Sequence, residues 1–237
     1  MAKIWFFGDS FCANNSNWVK QVAENVGCSI ANFGVGGASL DHTLTTLIKK
    51  SKEIEKQDYV VVCFTSPRRH FFNGVNLRIG LIEQELPIED WVAWDEKKGH
   101  YMPINEGMVE AYKLFFKHLY NEDEENLKHT ITVNHIINDI LPSLQTDNTV
   151  YFDSMQDLPI KYEFFQHSQP VICKPFWSIA IDFLQSKHSS LPYEEFHNLL
   201  IEQTTRDNHF LDHPEYAKEW WSNLNPVLEL IGAEQKI

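Results

Sequence analysis

The chain has 237 residues, of which 43% are hydrophobic and 13% aromatic, and its formal net charge is −13. This composition suffices for one packed domain, which we expect to span residues 1–237, and it excludes an intrinsically disordered chain. The acidic balance argues against nucleic acid and anionic membrane surfaces as partners, because both repel a negatively charged protein.

The first third of the chain alternates apolar runs with helically spaced apolar positions. In chain order these predict a strand over residues 3–8, a helix over Asn17–Val26, a strand over 28–33, a helix from about Ser39 to Lys50, and a strand over Tyr59–Phe64. The last strand is a continuous valine-rich run, which is typical of a central strand in a parallel sheet.

The rest of the chain is less regular. Residues 66–107 and 154–192 have no clear period, and the remaining segments predict helices around 108–120 and 123–145, a strand over Thr149–Phe152, and helices over 193–203 and 214–224. Strands that alternate with helices predict an α/β fold. We expect a three-layer α/β/α domain with a mainly parallel sheet, flavodoxin-like in its layering, with insertions near the strand ends.

The cysteines give no metal or disulfide pattern. None belongs to a CxxC pair or has zinc-ligand spacing, so we expect reduced and mostly buried thiols at Cys12, Cys28, Cys63 and Cys173. The apolar run at the amino terminus is too short for a signal peptide, and no apolar stretch reaches membrane-spanning length. These features predict a soluble, cytoplasmic protein.

The turn after the first predicted strand holds the best candidate for chemistry, Gly8-Asp9-Ser10. Gly8 permits backbone angles that a side chain forbids, and Asp9 can hydrogen-bond to the backbone that follows it. A serine raised above the edge of a sheet is a candidate nucleophile when a base can reach it.

Three blocks in this chain order resemble the SGNH (GDSL-like) hydrolase family. Gly8-Asp9-Ser10-Phe11 is similar to the first block, Asn32-Phe33-Gly34-Val35-Gly36-Gly37 to the second, and Asp207-Asn208-His209 to the last. The resemblance spans most of the chain through the order of the blocks.

The resemblance implies a serine esterase. Ser10 would attack the acyl carbon, His209 would act as general base, and Asp207 would orient the histidine. The backbone N–H groups of Ser10 and Gly37 would hold the oxyanion. The resemblance implies no cofactor and no metal, and its substrate would be a small-molecule or carbohydrate ester, such as an O-acetyl group or another small acyl group.

The family's third block follows strand three and supplies an asparagine to the oxyanion hole, and this chain departs from it. Pro67 falls at the place of the asparagine, and proline has no N–H donor. We consider Thr65, Ser66 and Arg68 as possible substrate or oxyanion contacts. Arg68 is our candidate replacement donor, because it has several N–H groups on a long side chain. Alternatively, Arg68 and Arg69 form an ordinary solvated pair.

Two alternatives concern the last block. His213 precedes a proline and is the alternative general base, and Arg206 stands three residues before His209, where the family usually has its acid. Alternatively, a metal could be ligated by Asp207, His209, Asp212 and His213, although no third ligand group is identifiable elsewhere.

Two further alternatives concern the whole chain. The first is an SGNH-fold binding or structural module with impaired catalysis, which the altered third block supports. The second is a nucleotide-binding domain that uses Gly34–Gly37, although this stretch lacks a P-loop lysine and the full dinucleotide spacing.

For Gly37 there is also an alternative to the role in the oxyanion hole: the glycine would let a helix pack closely on the sheet.

Overall fold

The computed structural model describes residues 2–13, 17–72, 75–78, 92–95, 100–153, 176–196 and 198–199. Within these ranges the strands are β1 (Lys3–Ala13), β2 (Ser29–Gly34), β3 (Tyr59–Phe64), β4 (Arg69–Phe72), β5 (Val75–Arg78), β6 (Val92–Asp95), β7 (His100–Pro103) and β8 (Thr149–Asp153). The α-helices are α1 (Asn17–Val26), α2 (Leu40–Lys50), α3 (Glu106–His118), α4 (Glu122–His135) and α5 (Phe176–Lys187).

The central element is a parallel sheet whose described strands lie in the order β2-β1-β3-β8. The chain first passes from β1 to β2 on one side and then returns to β3 on the other side. The strand order therefore reverses between β1 and β3. In doubly wound folds, ligands bind at such a point, beyond the carboxyl ends of the strands.

Helices cover both faces of this sheet, because alternate residues of β1 point in opposite directions. The core on one face draws on β1, α1 and α5, through Ile4, Phe6, Trp18, Val22 and Leu184. The core on the other face draws on β1, α2 and α4, through Trp5, Phe7, Leu47 and Val133. Each such buried side chain contributes roughly 1.5–3 kcal/mol. The predicted three-layer α/β/α architecture is confirmed.

Local sequence signals account for the helix that precedes the third strand. The Ser39 hydroxyl accepts a hydrogen bond of 3.3 Å from the backbone N–H of His42 and thereby caps α2. Asp41 lies in the first turn, and Lys49 and Lys50 lie in the last turn, where they complement the helix dipole. The prediction that this helix starts near Ser39 is therefore correct.

Three predictions for the irregular segments were incomplete. The stretch 66–107 contains two antiparallel hairpins, β4-β5 and β6-β7. The predicted helix over 123–145 is α4 followed by a π-helical turn at Ile136–Ile140 and a 3-10 turn at Leu141–Ser143. Helix α5 lies in the stretch predicted to be irregular, because its sequence is apolar nearly all round and shows no clear helical period.

Towards the carboxyl end, the predicted helix over 193–203 is helical at residues 193–196 and 198–199, and the predicted helix over 214–224 lies outside the described residues. The extent of one domain over residues 1–237 stays a prediction. No helix in the described ranges is both long enough and apolar enough to cross a membrane. Cys12, Cys28 and Cys63 are free thiols, and Cys173 lies outside those ranges.

Candidate active site

Ser10 lies in a bulge at the carboxyl edge of the sheet. Strands β1 and β2 pair in register from Lys3 to Gly8, and the register then shifts, so that Gly8 and Ala13 both pair with Gly34. Residues 9–12, which we call the Ser10 bulge, therefore leave the regular ladder. Ser10 is partly exposed there, whereas Asp9, Phe11 and Cys12 are buried.

Hydrogen bonds fix the backbone of the Ser10 bulge. The backbone N–H of Phe11 donates to Oδ1 of Asp9 at 3.0 Å, and the indole N–H of Trp18 donates to the carbonyl of Phe11 at 2.6 Å. The Asn32 amide donates to the carbonyl of Cys12 at 2.6 Å. Ser10 is thus presented by a backbone that is held before any ligand arrives.

Two glycines shape the site for different reasons. A Cβ at Gly8 would lie 2.5 Å from the carbonyl oxygen of Cys63 and 2.8 Å from the Cys12 sulfur, so the close approach of β1 and β3 requires glycine. Gly37 has φ +76°, which favours glycine, and its Cβ position meets no described atom within 4 Å. Among the described residues, therefore, no helix packs closely enough on Gly37 to require glycine there.

The carboxylate of Asp9 joins the end of β1 to the turn after β3. Asp9 is 0% exposed, and its Oδ2 accepts hydrogen bonds from the Thr65 hydroxyl and from a guanidinium nitrogen of Arg69, each at 2.9 Å. Asp9, which precedes the candidate nucleophile, therefore has a structural role, because its carboxylate holds the Ser10 bulge in position.

Arg69 also reaches the turn between β2 and α2. The nitrogen that contacts Asp9 lies 3.4 Å from the carbonyl oxygen of Ala38, and the side chain is only 11% exposed. Arg68, by contrast, has an exposed side chain. The Ser66 hydroxyl accepts the backbone N–H of Arg68 at 3.2 Å. The roles of Thr65, Ser66 and Arg68 in binding substrate or oxyanion stay predictions.

A buried histidine holds the turn after β3 through a hydrogen bond. Nε2 of His129, on α4, lies 2.7 Å from the carbonyl oxygen of Thr65, and since a carbonyl only accepts, Nε2 carries the proton. Burial lowers the pKa of His129 from 6.5 to about 4, although the hydrogen bond to Thr65 acts in the opposite direction. His129 is therefore a neutral donor at pH 7 and holds the backbone of Thr65.

The environment of the Cys63 thiol, which lies beside the Asp9 carboxylate, does not suit a nucleophile. Cys63 is fully buried, and its sulfur lies 3.9 Å from Oδ1 of Asp9. Burial raises the pKa of the Cys63 thiol, and the neighbouring Cys12 thiol and the carboxylates of Asp9 and Asp153 raise it further. The thiolate is the reactive form of cysteine, so this environment favours the inert thiol.

Sequence analysis missed three residues that build this site, namely Asn32, Arg69 and His129, at least in the roles that they have here. Asn32 belongs to the second block, but nothing marked its amide as a clamp for the bulge. His129 lies 64 residues from the carbonyl it contacts. No short motif encodes such a contact.

The predicted acid and base lie elsewhere in the chain. Asp207, His209 and the alternative base His213 are outside the described residues, as is Asp212 of the metal alternative. Their roles stay predictions. In the part of the chain that the structure describes, no group of three or more His, Cys, Asp or Glu side chains is arranged to hold a metal ion.

The fold and the position of the site define a three-layer α/β protein with a serine-bearing bulge at its strand-order reversal. No protein-family model matches the chain, and no curated protein matches it. The structure is similar to the crystal structure of the protein YxiM from Bacillus subtilis, with a TM-score of 0.45 and 12% sequence identity. The match covers 98% of this chain and 58% of that chain, so this chain spans less than two thirds of the length of YxiM.

Proposed function

We propose that this protein is a serine hydrolase that cleaves an ester and that Ser10 is its nucleophile. The observation that carries the proposal is the placement of Ser10. Ser10 is partly exposed, hydrogen bonds to the carbonyls of Phe11 and Cys12 hold the backbone that follows it, and it lies where the strand order reverses. A partly exposed serine on a fixed backbone at this place is well suited to nucleophilic catalysis.

The proposed reaction has two halves. In the first, Oγ of Ser10 forms a bond to the acyl carbon, the π pair of the carbonyl moves onto its oxygen, and His209 takes the proton of the hydroxyl. The carbonyl then re-forms, the bond to the alkoxide breaks, and the alkoxide leaves with that proton. In the second half, water repeats these steps on the acyl-serine and releases the carboxylic acid.

The backbone N–H groups of Ser10 and Gly37 are the proposed donors to the oxyanion. No described atom lies within 4 Å of the Cβ position of Gly37, which supports this assignment, because a substrate carbonyl needs room beside the turn. The asparagine that the SGNH resemblance would add is absent, since Pro67 stands in its place. We propose a small acyl group, such as an O-acetyl group on a carbohydrate, as the substrate class.

The experiment that tests the function is hydrolysis of nitrophenyl acetate and of a panel of acyl esters. Ser10→Ala should lose nearly all turnover. Ser29→Ala is the matched control, because Ser29 is exposed at the opposite, amino end of β2 and should keep wild-type turnover. A folded wild-type protein that hydrolyses none of these esters would favour the alternative of a binding or structural module.

A further inference from the structure

The turn after β3 places one guanidinium group between the two loops that form the proposed oxyanion hole. The same nitrogen of Arg69 lies 2.9 Å from Oδ2 of Asp9 and 3.4 Å from the carbonyl oxygen of Ala38. Ser10 follows Asp9, and Gly37 precedes Ala38. The guanidinium therefore contacts the residue before one proposed backbone donor and the residue after the other.

Arg69 also has N–H groups that its contacts with Asp9 and Ala38 do not use. A guanidinium has five N–H groups, and the two on the bonded nitrogen point to Asp9 and Ala38. The three on the other nitrogens have no hydrogen-bond partner among the described residues. These three are available to a ligand at the carboxyl edge of the sheet.

The ion pair with Asp9 prepares Arg69 for this task. Asp9 is 0% exposed and the side chain of Arg69 is 11% exposed, so the guanidinium is held in one place without a ligand. Donors that are fixed in advance and shielded from water stabilise a developing negative charge most effectively. In the resting site the carboxylate balances the positive charge, and the oxyanion adds negative charge only as the reaction proceeds.

We propose that Arg69 donates a hydrogen bond to the oxyanion and so replaces the side-chain donor that Pro67 lacks. The inference rests on the proposed function, since it assigns a catalytic residue to that reaction. It differs from the sequence-based choice of Arg68, whose side chain is exposed, whereas that of Arg69 is held against Asp9.

The test compares kcat and KM for Arg69→Ala and Arg69→Lys with those of the wild type. Loss of one oxyanion donor lowers kcat by about 100- to 1000-fold, and we expect this for Arg69→Ala with little change in KM. Arg69→Lys keeps the charge and one contact to Asp9 but loses the forked geometry, so its kcat should fall as well. Arg68→Ala is the competing assignment, and Lys52→Ala, which removes an exposed cation, is the control.

A second measurement separates catalysis from support of the fold. A trifluoromethyl ketone forms a hemiketal with the serine and carries an oxyanion. Arg69→Ala should weaken its binding by the same factor by which kcat/KM falls, and Arg69→Lys, which keeps the charge beside Asp9 and so supports the fold, should show the same parallel loss. If Arg69→Ala does not fold, the same comparison on Arg69→Lys decides.

The outcomes distinguish the two proposals. Folded Arg69 variants that keep the wild-type kcat, or a larger loss in Arg68→Ala, overturn the assignment of Arg69 while Ser10-dependent hydrolysis still stands. A wild-type protein that hydrolyses no ester and does not react with a fluorophosphonate overturns the proposed function and the role of Arg69 together.

Discussion

The carboxylate of Asp9 and the guanidinium of Arg69 form an ion pair of 2.9 Å across 60 positions of the chain. The pair joins the Ser10 bulge of β1 to the first residue of β4, which follows the turn after β3, and the Thr65 hydroxyl reinforces it at 2.9 Å. It therefore fixes the relative position of the two strand ends between which the strand order reverses. The candidate nucleophile Ser10 is the residue next to Asp9.

Removing either partner of this pair should destabilise the protein. Arg69→Ala leaves the buried carboxylate of Asp9 without its counter-charge, and such a loss typically lowers the free energy of unfolding by about 3–5 kcal/mol. Asp9→Ala should have an effect of similar size. The double variant Asp9→Asn/Arg69→Met should recover part of the loss, because it leaves no unpaired charge. Urea denaturation measures all three, and single variants as stable as the wild type would show that the pair does not hold the strand ends.

Gly8 and Gly37 should respond differently to alanine. At Gly8 the new Cβ meets the Cys63 backbone oxygen at 2.5 Å, so Gly8→Ala should fold poorly or not at all. At Gly37 no described atom lies within 4 Å of the new Cβ, so among the described residues the backbone angle alone opposes alanine, at a cost of about 1–2 kcal/mol. Thermal unfolding of both variants checks this order. If both variants lose the same amount of stability, β1 and β3 do not approach each other closely at Gly8.

Burial of His129 should make the fold sensitive to acid. Its pKa is about 4 in the folded state and 6.5 in the reference state, so between these values the unfolded chain binds more protons than the folded one. The contribution of the neutral, buried His129 to stability is therefore complete above pH 6.5 and is lost as the pH falls to about 4. The difference corresponds to about 3 kcal/mol, at 1.36 kcal/mol per pKa unit.

His129→Gln tests this pH dependence, since the amide can still donate to the carbonyl of Thr65 but does not titrate. The variant should lose less stability than the wild type between pH 6.5 and pH 4, as urea denaturation at several pH values would show. Burial also lowers the pKa of His70, so some pH dependence in the same direction should remain. His118→Gln is the exposed control, and a His129→Gln profile identical to the wild type would contradict the neutral buried state.

The two histidines of the last block should separate by kinetics. His209→Ala should lower turnover by about 10,000-fold or more, as expected for a general base, whereas His213→Ala should mainly affect stability. The wild-type rate should also fall below about pH 6 to 7, as the base becomes protonated. Steady-state kinetics on nitrophenyl acetate measure both effects. The reverse order of the two variants would make His213 the base.

Local signals in the sequence were enough for much of the fold. Helix α1 begins at Asn17 and ends at Val26, as the helical spacing and Gly27 predict, and β3 coincides with the predicted valine-rich strand. Ser39 marked the start of α2 because capping is a contact between close neighbours in the chain. Such elements follow from interactions over a few residues. The alternation of the first three strands with two helices then indicates a parallel sheet.

The partners of the site residues were not predictable in the same way. Gly8-Asp9-Ser10 indicated a turn, but nothing in the sequence says that Asp9 pairs with Arg69 instead of Arg68. That choice depends on which of two consecutive side chains faces the sheet once the chain has turned after Pro67. The contact of His129 with Thr65 is equally a product of tertiary packing, because α4 meets the end of β3 only in the folded protein.

Labelling with a fluorophosphonate tests whether Ser10 is an activated nucleophile. The folded wild-type protein should acquire one phosphonyl group, which mass spectrometry of the digested protein should locate on Ser10. Ser10→Ala and the heat-denatured wild type should remain unlabelled, while Ser29→Ala should be labelled like the wild type. Absence of any adduct on the folded protein, or an adduct that persists in Ser10→Ala, would contradict the serine hydrolase assignment.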